Sequence, residues 1–105
     1  MKKFILIYYG QPQFKTAEDA KKHQAAWIEW AKELGSAMVE MGNPVKPSKM
    51  VSAKGLSDTD GNDRFMGYSI IQVNNLDEAV EFTKRCPDVA DGGTMGVHEL
   101  GSMEM

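Results

Sequence analysis

Two histidines, three tyrosines, two tryptophans and one cysteine are the side chains best suited to chemistry in this sequence. His23 is the sharpest of them. It lies one turn before Trp27 and two before Trp30 on what reads as the apolar face of a helix. Set in a pocket against indoles, an imidazole is held neutral near pH 7 and can serve as a general base. The competing reading is a histidine that closes the apolar face and hydrogen-bonds to backbone or solvent. His98 and Glu99 are adjacent on a strand, so their side chains point to opposite faces and do not form a dyad. His98 reads as a surface or interface residue. Two histidines without a carboxylate at ligand spacing give no metal site, and no motif calls for a cofactor.

Tyr8, Tyr9 and Tyr68 fall on strands, with Tyr8 and Tyr9 on opposite faces. A phenol in a cleft, from Tyr8 or Tyr68, can position a ligand, and Trp27 is a further ligand-binding candidate. A buried tyrosine with one hydrogen bond, or an indole packed in the core, accounts for the same residues. Cys86, before Pro87 at a helix end, reads as packing. Asp58, Asp60 and Asp63 read as turn formers.

The element that must position His23 runs from Thr16 to Gly42 and is predicted to be one long helix. Ala20, Trp27, Trp30, Ala31, Leu34, Ala37, Met38 and Met41 recur at the three-then-four spacing of one face. Thr16 is the expected N-cap, with Glu18 and Asp19 in the first turn, and Gly42 with Pro44 the expected stop. Gly35 is expected to mark close packing or a bend. Such a helix would be about 39 Å long, whereas a seven-residue strand spans about 23 Å. Its first turns, through His23, would overhang the sheet.

Strands are predicted at 3–9, ended by Gly10 to Pro12, near 48–53 as an edge strand after Pro47, at 65–73, and near 94–100 before a short tail. Asp60-Gly61 is a hairpin dipeptide. A second helix is capped by Asn74 or Asn75 and stopped by Pro87, with Leu76, Ala79, Val80, Thr83 and Cys86 facing inward. A loop, DVADGG, follows it. The order is β-α-β-β-α-β, an α+β, ferredoxin-like arrangement with the first and third strands central and both helices on one face. Both central strands, FILIYY and FMGYSII, are apolar on both parities. A bare apolar face of several hundred Å² is unusual on a monomer, so a homodimer packed sheet to sheet is expected.

The 105 residues are read as one domain (1–105), with 26% charged and 42% hydrophobic residues, as in ordinary globular chains. A net charge of −3 and the lack of a basic run argue against nucleic acid. No stretch approaches the ~20 apolar residues of a membrane span, and the N-terminal apolar run is too short for a signal peptide. One cysteine excludes an internal disulfide and suits a reducing compartment, with the cytoplasm as default.

The residues now in view resemble a known family. MKKFILIYYG, WIEWAKELG, GNP at 42–44, GYSII at 67–71, LDEAVEF at 76–82, Cys86-Pro87 and a glycine turn before a closing strand resemble the YCII-related, or DGPF-domain, proteins. The resemblance implies a ferredoxin-like fold and a dimeric α/β barrel. Asn62-Asp63 stand where the name motif has Pro-Phe after Asp60-Gly61. The resemblance also implies a first-helix histidine acting with an aspartate; His23 lies close to that position, and its acid partner is not placed. The expected function is binding of a small apolar or aromatic molecule near the first helix, with cofactor-free acid–base catalysis through His23 if the protein is an enzyme. The alternative is a non-catalytic dimerisation or regulatory module.

Overall fold

The structure is a computed structural model that describes residues 1–9, 14–45, 48–58 and 65–101. The expected strand stop at Gly10 to Pro12, Pro47, the Asp60-Gly61 turn with Asp63, and the tail at 102–105 lie outside the described residues.

Ten elements are not needed to describe the frame; a four-stranded antiparallel sheet and two helices suffice. Strand β1 (Lys2–Tyr9) is central and pairs with β5 (Phe65–Val73) on one side and β6 (Thr94–Glu99) on the other. Strand β2 (Met38–Glu40) pairs with the free side of β5, giving the order β2-β5-β1-β6. With α1 (Ala17–Leu34) after β1 and α2 (Leu76–Lys84) after β5, this is the ferredoxin-like α+β fold, and the first and third core strands are central as expected.

Strand parity sorts the sheet's residues. Phe4 and Leu6 of β1, and Ser69, Ile71 and Val73 of β5, are fully or almost fully buried beneath the helices. They form one core with Trp30, Leu34, Ala79 and Cys86. Ile5, Ile7, Tyr9, Met66, Tyr68 and Ile70 alternate with them and take the other face. Thr16 caps α1 by accepting from the Asp19 amide at 3.0 Å, and Asn75 caps α2 by accepting from the Glu78 amide at 2.8 Å. Leu76, expected to face inward, is 47% exposed, and Phe82 packs against the core instead.

The long helix is the main correction. It stops at Leu34, where Gly35 takes φ 55° and its N–H bonds back to the Ala31 carbonyl. One tight turn, Gly35–Ala37, follows, and then β2. Eighteen residues span about 27 Å, so helix and sheet match in length and no overhang is needed. Of the residues read as the far end of the helical face, Met38 serves as strand and packs on the core, while Met41 lies just past β2 and is 53% exposed.

The second correction follows from the first. The segment expected to supply the second strand forms a separate hairpin, β3 (Lys49–Ser52) with β4 (Gly55–Asp58), outside the main sheet. The segment read as a loop after Pro87 holds a short helix, α3 (Pro87–Ala90), with proline in its first turn.

Among the described residues no helix is long and apolar enough to cross a membrane. Nor does any group of three or more His, Cys, Asp or Glu among them stand ready to hold a metal ion.

Candidate active site

After β2 the chain turns at Gly42 and runs back along β5, held by an isolated bridge between Pro44 and Gly67 and by the Val45 amide donating to the Met66 carbonyl at 2.8 Å. This return leaves a cavity of about 280 Å³ at the start of β5. Met41, Gly42, Asn43 and Pro44 form one wall, Met66 to Tyr68 another; Tyr8 of β1, Trp27 of α1 and Asp88 of α3 complete it. Ligand pockets start near 300 Å³, so this one has room for a single ring.

Three of the residues singled out in the sequence, Tyr8, Trp27 and Tyr68, therefore meet in one cavity. They do so although Tyr8 sits on the helix face of the sheet and Tyr68 on the other, because the cavity wraps around the end of β5. Trp27 packs against the core and against Trp30, ring centroids 5.8 Å apart, while one edge meets the cavity.

The hydrogen bonds fix what this cavity offers. Ser69 Oγ donates to the Met41 carbonyl at 2.7 Å, which commits its one proton. The Tyr8 hydroxyl, 2.7 Å from Ser69 Oγ, must then be the donor of that pair. Tyr68 likewise donates to Glu40 Oε1 at 3.0 Å. Burial pushes the Tyr8 phenol well above its usual range, against the opposing pull of its hydrogen bond to Ser69, so it stays protonated. Both tyrosines have their protons engaged, and an ionised Asp88 only accepts. These three groups present lone pairs, and a ligand that satisfies them brings hydroxyl donors.

His23 does not stand among the indoles, as the sequence reading has it. Its ring lies against Phe14, centroids 4.9 Å apart, and between two carboxylates. Nε2 is 2.7 Å from Asp88 Oδ1 and Nδ1 is 2.5 Å from Asp91 Oδ2. Only the imidazolium donates from both nitrogens; a neutral ring donates to one carboxylate at a time. His23 reaches the cavity through Asp88 rather than by lining it.

Asp88 and Asp91 are the candidate-site residues the sequence reading missed. Their signal was the spacing of three after Pro87: a proline at the first position of a helix followed by two acids at i and i+3 puts both carboxylates on one face. His98 lies on edge strand β6, exposed, opposite Ile5 and far from this cluster in register. Cys86 is fully buried, and burial pushes its thiol up to about 12, so it is a packing group.

A split β-α-β sheet closed by a histidine–carboxylate cluster at one end defines a ferredoxin-like domain with a single-ring cavity. The chain matches the family model of the YCII-related domain over residues 1–100, and it belongs to that family. Comparison with curated protein sequences gives no match. Among solved structures it is similar to 5-chloro-2-hydroxyhydroquinone dehydrochlorinase from Burkholderia phenoliruptrix, determined in complex with 2,5-dihydroxybenzoquinone. That similarity has a TM-score of 0.55 at 18% sequence identity and covers 93% of each chain. At this identity the likeness speaks for the fold.

Proposed function

We propose that this protein binds a small, largely apolar or aromatic molecule bearing a hydroxyl in the cavity beneath Tyr8, Trp27 and Tyr68, and that Asp88 with His23 moves a proton on it without a cofactor. The observation that carries this reading is the meeting of apolar walls with one carboxylate that is itself bonded to an imidazole. Asp88 faces the ligand and accepts its proton. His23 orients that carboxylate and stabilises its charge, as a positioned partner does in general acid–base catalysis. The structural neighbour of the same fold holds a dihydroxylated ring, which makes 2,5-dihydroxybenzoquinone the first probe to use.

Titrating that probe into the purified protein is expected to raise its melting temperature. At about 100 times Kd the stabilisation is ~2.7 kcal/mol, which corresponds to a shift on the order of 10 °C for a domain of this size. Asp88→Asn and His23→Ala are expected to lose most of the shift while melting near the wild type in its absence. Equal shifts in all three proteins, or none in the wild type, overturn the reading.

We further infer a homodimer that packs sheet to sheet. Support comes from the face away from the helices, where Ile5, Ile7, Tyr9, Met66 and Ile70 gather on the two central strands. The rival view of the protein, a non-catalytic dimerisation or regulatory module, draws on this face alone and leaves the Asp88–His23 pair without a role. Light scattering at micromolar concentration is expected to give twice the chain mass of 11.6 kDa; a monomer there removes the dimer. We assign the protein to the cytoplasm on its single cysteine, which suits a reducing compartment.

A further inference from the structure

Asp88 and His23, bonded to each other, stand between two cavities. On one side is the ligand cavity with Asp88. On the other is a second cavity of about 320 Å³, lined by Phe14, Asp19, Lys22, His23 and Asp91. Each ring nitrogen meets a carboxylate that belongs to one of these spaces. Exposure runs the same way: the side chains of His23 and Asp88 are 14% and 19% accessible, and that of Asp91 is 45%. A carboxylate that only fixed the ring would have no need to stand half in water.

We propose that Asp91 is the outer end of a proton relay, Asp88–His23–Asp91, that connects the ligand cavity to bulk solvent. The proposal rests on the reading above that the cavity takes a ligand with an acidic hydroxyl. The passage starts with a neutral ring whose proton sits on Nδ1, donated to Asp91. The ligand O–H breaks and its proton goes to Asp88, leaving an oxyanion. Asp88 hands the proton to Nε2, which gives the imidazolium bonded to both carboxylates. Nδ1 then releases its own proton to Asp91, and Asp91 releases it to water. The ring ends protonated on Nε2. The reverse sequence delivers a proton to the bound molecule and restores the first tautomer, so one proton leaves and one returns with no change in oxidation state. The other charged groups facing the outer cavity are Asp19 and Lys22 of α1, opposite in sign; Lys22 also lies 3.8 Å from Glu18.

The test is a stopped-flow pH jump on the intact protein carrying 2,5-dihydroxybenzoquinone, whose absorbance follows its ionisation. Wild-type relaxation is expected to be fast and independent of buffer concentration. Asp91→Asn is expected to slow it by at least about tenfold, within the range of a lost proton-transfer group, and to make it rise with added formate or imidazole buffer. Asp91→Glu is expected to restore the rate. Affinity for the probe should stay within about twofold in both, a readout that a purely structural role of Asp91 would not leave intact. If Asp91→Asn misfolds, Asp91→Glu relaxing with buffer dependence overturns the relay, and wild-type rates in it support it. An Asp91→Asn protein that binds the probe and relaxes like the wild type overturns the relay and leaves the binding reading standing. A wild type that does not bind the probe overturns both.

Discussion

Replacing Trp30 with alanine is expected to destabilise the protein by about 3–5 kcal/mol. That is a large share of the ~5–15 kcal/mol that holds a domain together. Trp30 is 3% exposed and touches the cluster that unites sheet and helices. Its indole Nε1 donates to the Phe82 carbonyl of α2 at 2.8 Å, so it joins the two helices by a hydrogen bond as well as by area. Alanine leaves a void and removes one of the two donors to the Phe82 carbonyl, which keeps the Arg85 amide at 3.2 Å. Trp30→Phe keeps much of the volume and isolates the loss of that hydrogen bond, expected at about 0.5–1.5 kcal/mol. Trp27→Ala removes the same atoms from a residue only partly buried and facing the cavity, so its main effect is expected on ligand affinity. Urea unfolding of the three variants checks this ordering. A Trp30→Ala midpoint no lower than that of Trp27→Ala would show that the core is centred elsewhere.

Gly42→Ala is the second large effect, and it acts on the cavity. Gly42 has φ 79°, where a side chain is strained. A Cβ placed there would lie 1.7 Å from the Tyr68 carbonyl oxygen. No rotamer relieves a clash between backbone atoms, so the strand-like segment from Met41 to Val45 must leave β5. With it go the Pro44–Gly67 bridge, the Val45–Met66 hydrogen bond and the acceptor of the Ser69 hydroxyl. Strain of this kind costs roughly 1–3 kcal/mol by itself, and the lost bonds add to it. The expected result is a lower melting temperature together with complete loss of probe binding. Retained binding in Gly42→Ala would mean that this segment is not the cavity's wall.

How much of this was legible in the sequence depends on how local the signal is. The caps were readable, because Thr16 and Asn75 act on amides three residues away. So were β1 and β5, whose continuous apolar runs mark them as central strands. The end of α1 was not. Ala37, Met38 and Met41 keep helical spacing with Trp30 and Leu34, no proline intervenes before Pro44, and a glycine in a helix costs only about 1 kcal/mol. What ends the helix is the need of β5 for a partner on its free edge, and that demand comes from residues some thirty positions further on. The element order survived because one strand replaced another: Met38–Glu40 took the place expected for the segment that became the β3–β4 hairpin. At the site, Tyr8, Trp27 and Tyr68 were singled out by type, whereas their meeting in one cavity depends on the return of the chain after Gly42. Asp88 and Asp91 were passed over as loop acids, since a four-residue helix leaves no periodicity to read.

The central place of β1 has a consequence for how the protein is made. Both neighbours of β1 come from the later part of the chain: Lys2 pairs with Val73 and Phe4 with Glu99. On the ribosome β1 emerges before either of its partners, and β6 after β5. Pairings this distant in sequence close slowly, and an unpaired apolar strand invites association with other chains. Until β5 emerges β1 has neither of its partners, and of the helices described only α1 is there to shield it. Completion of the sheet must wait for β6, so a chain stopped before Thr94 is expected to leave one edge of β1 unpaired.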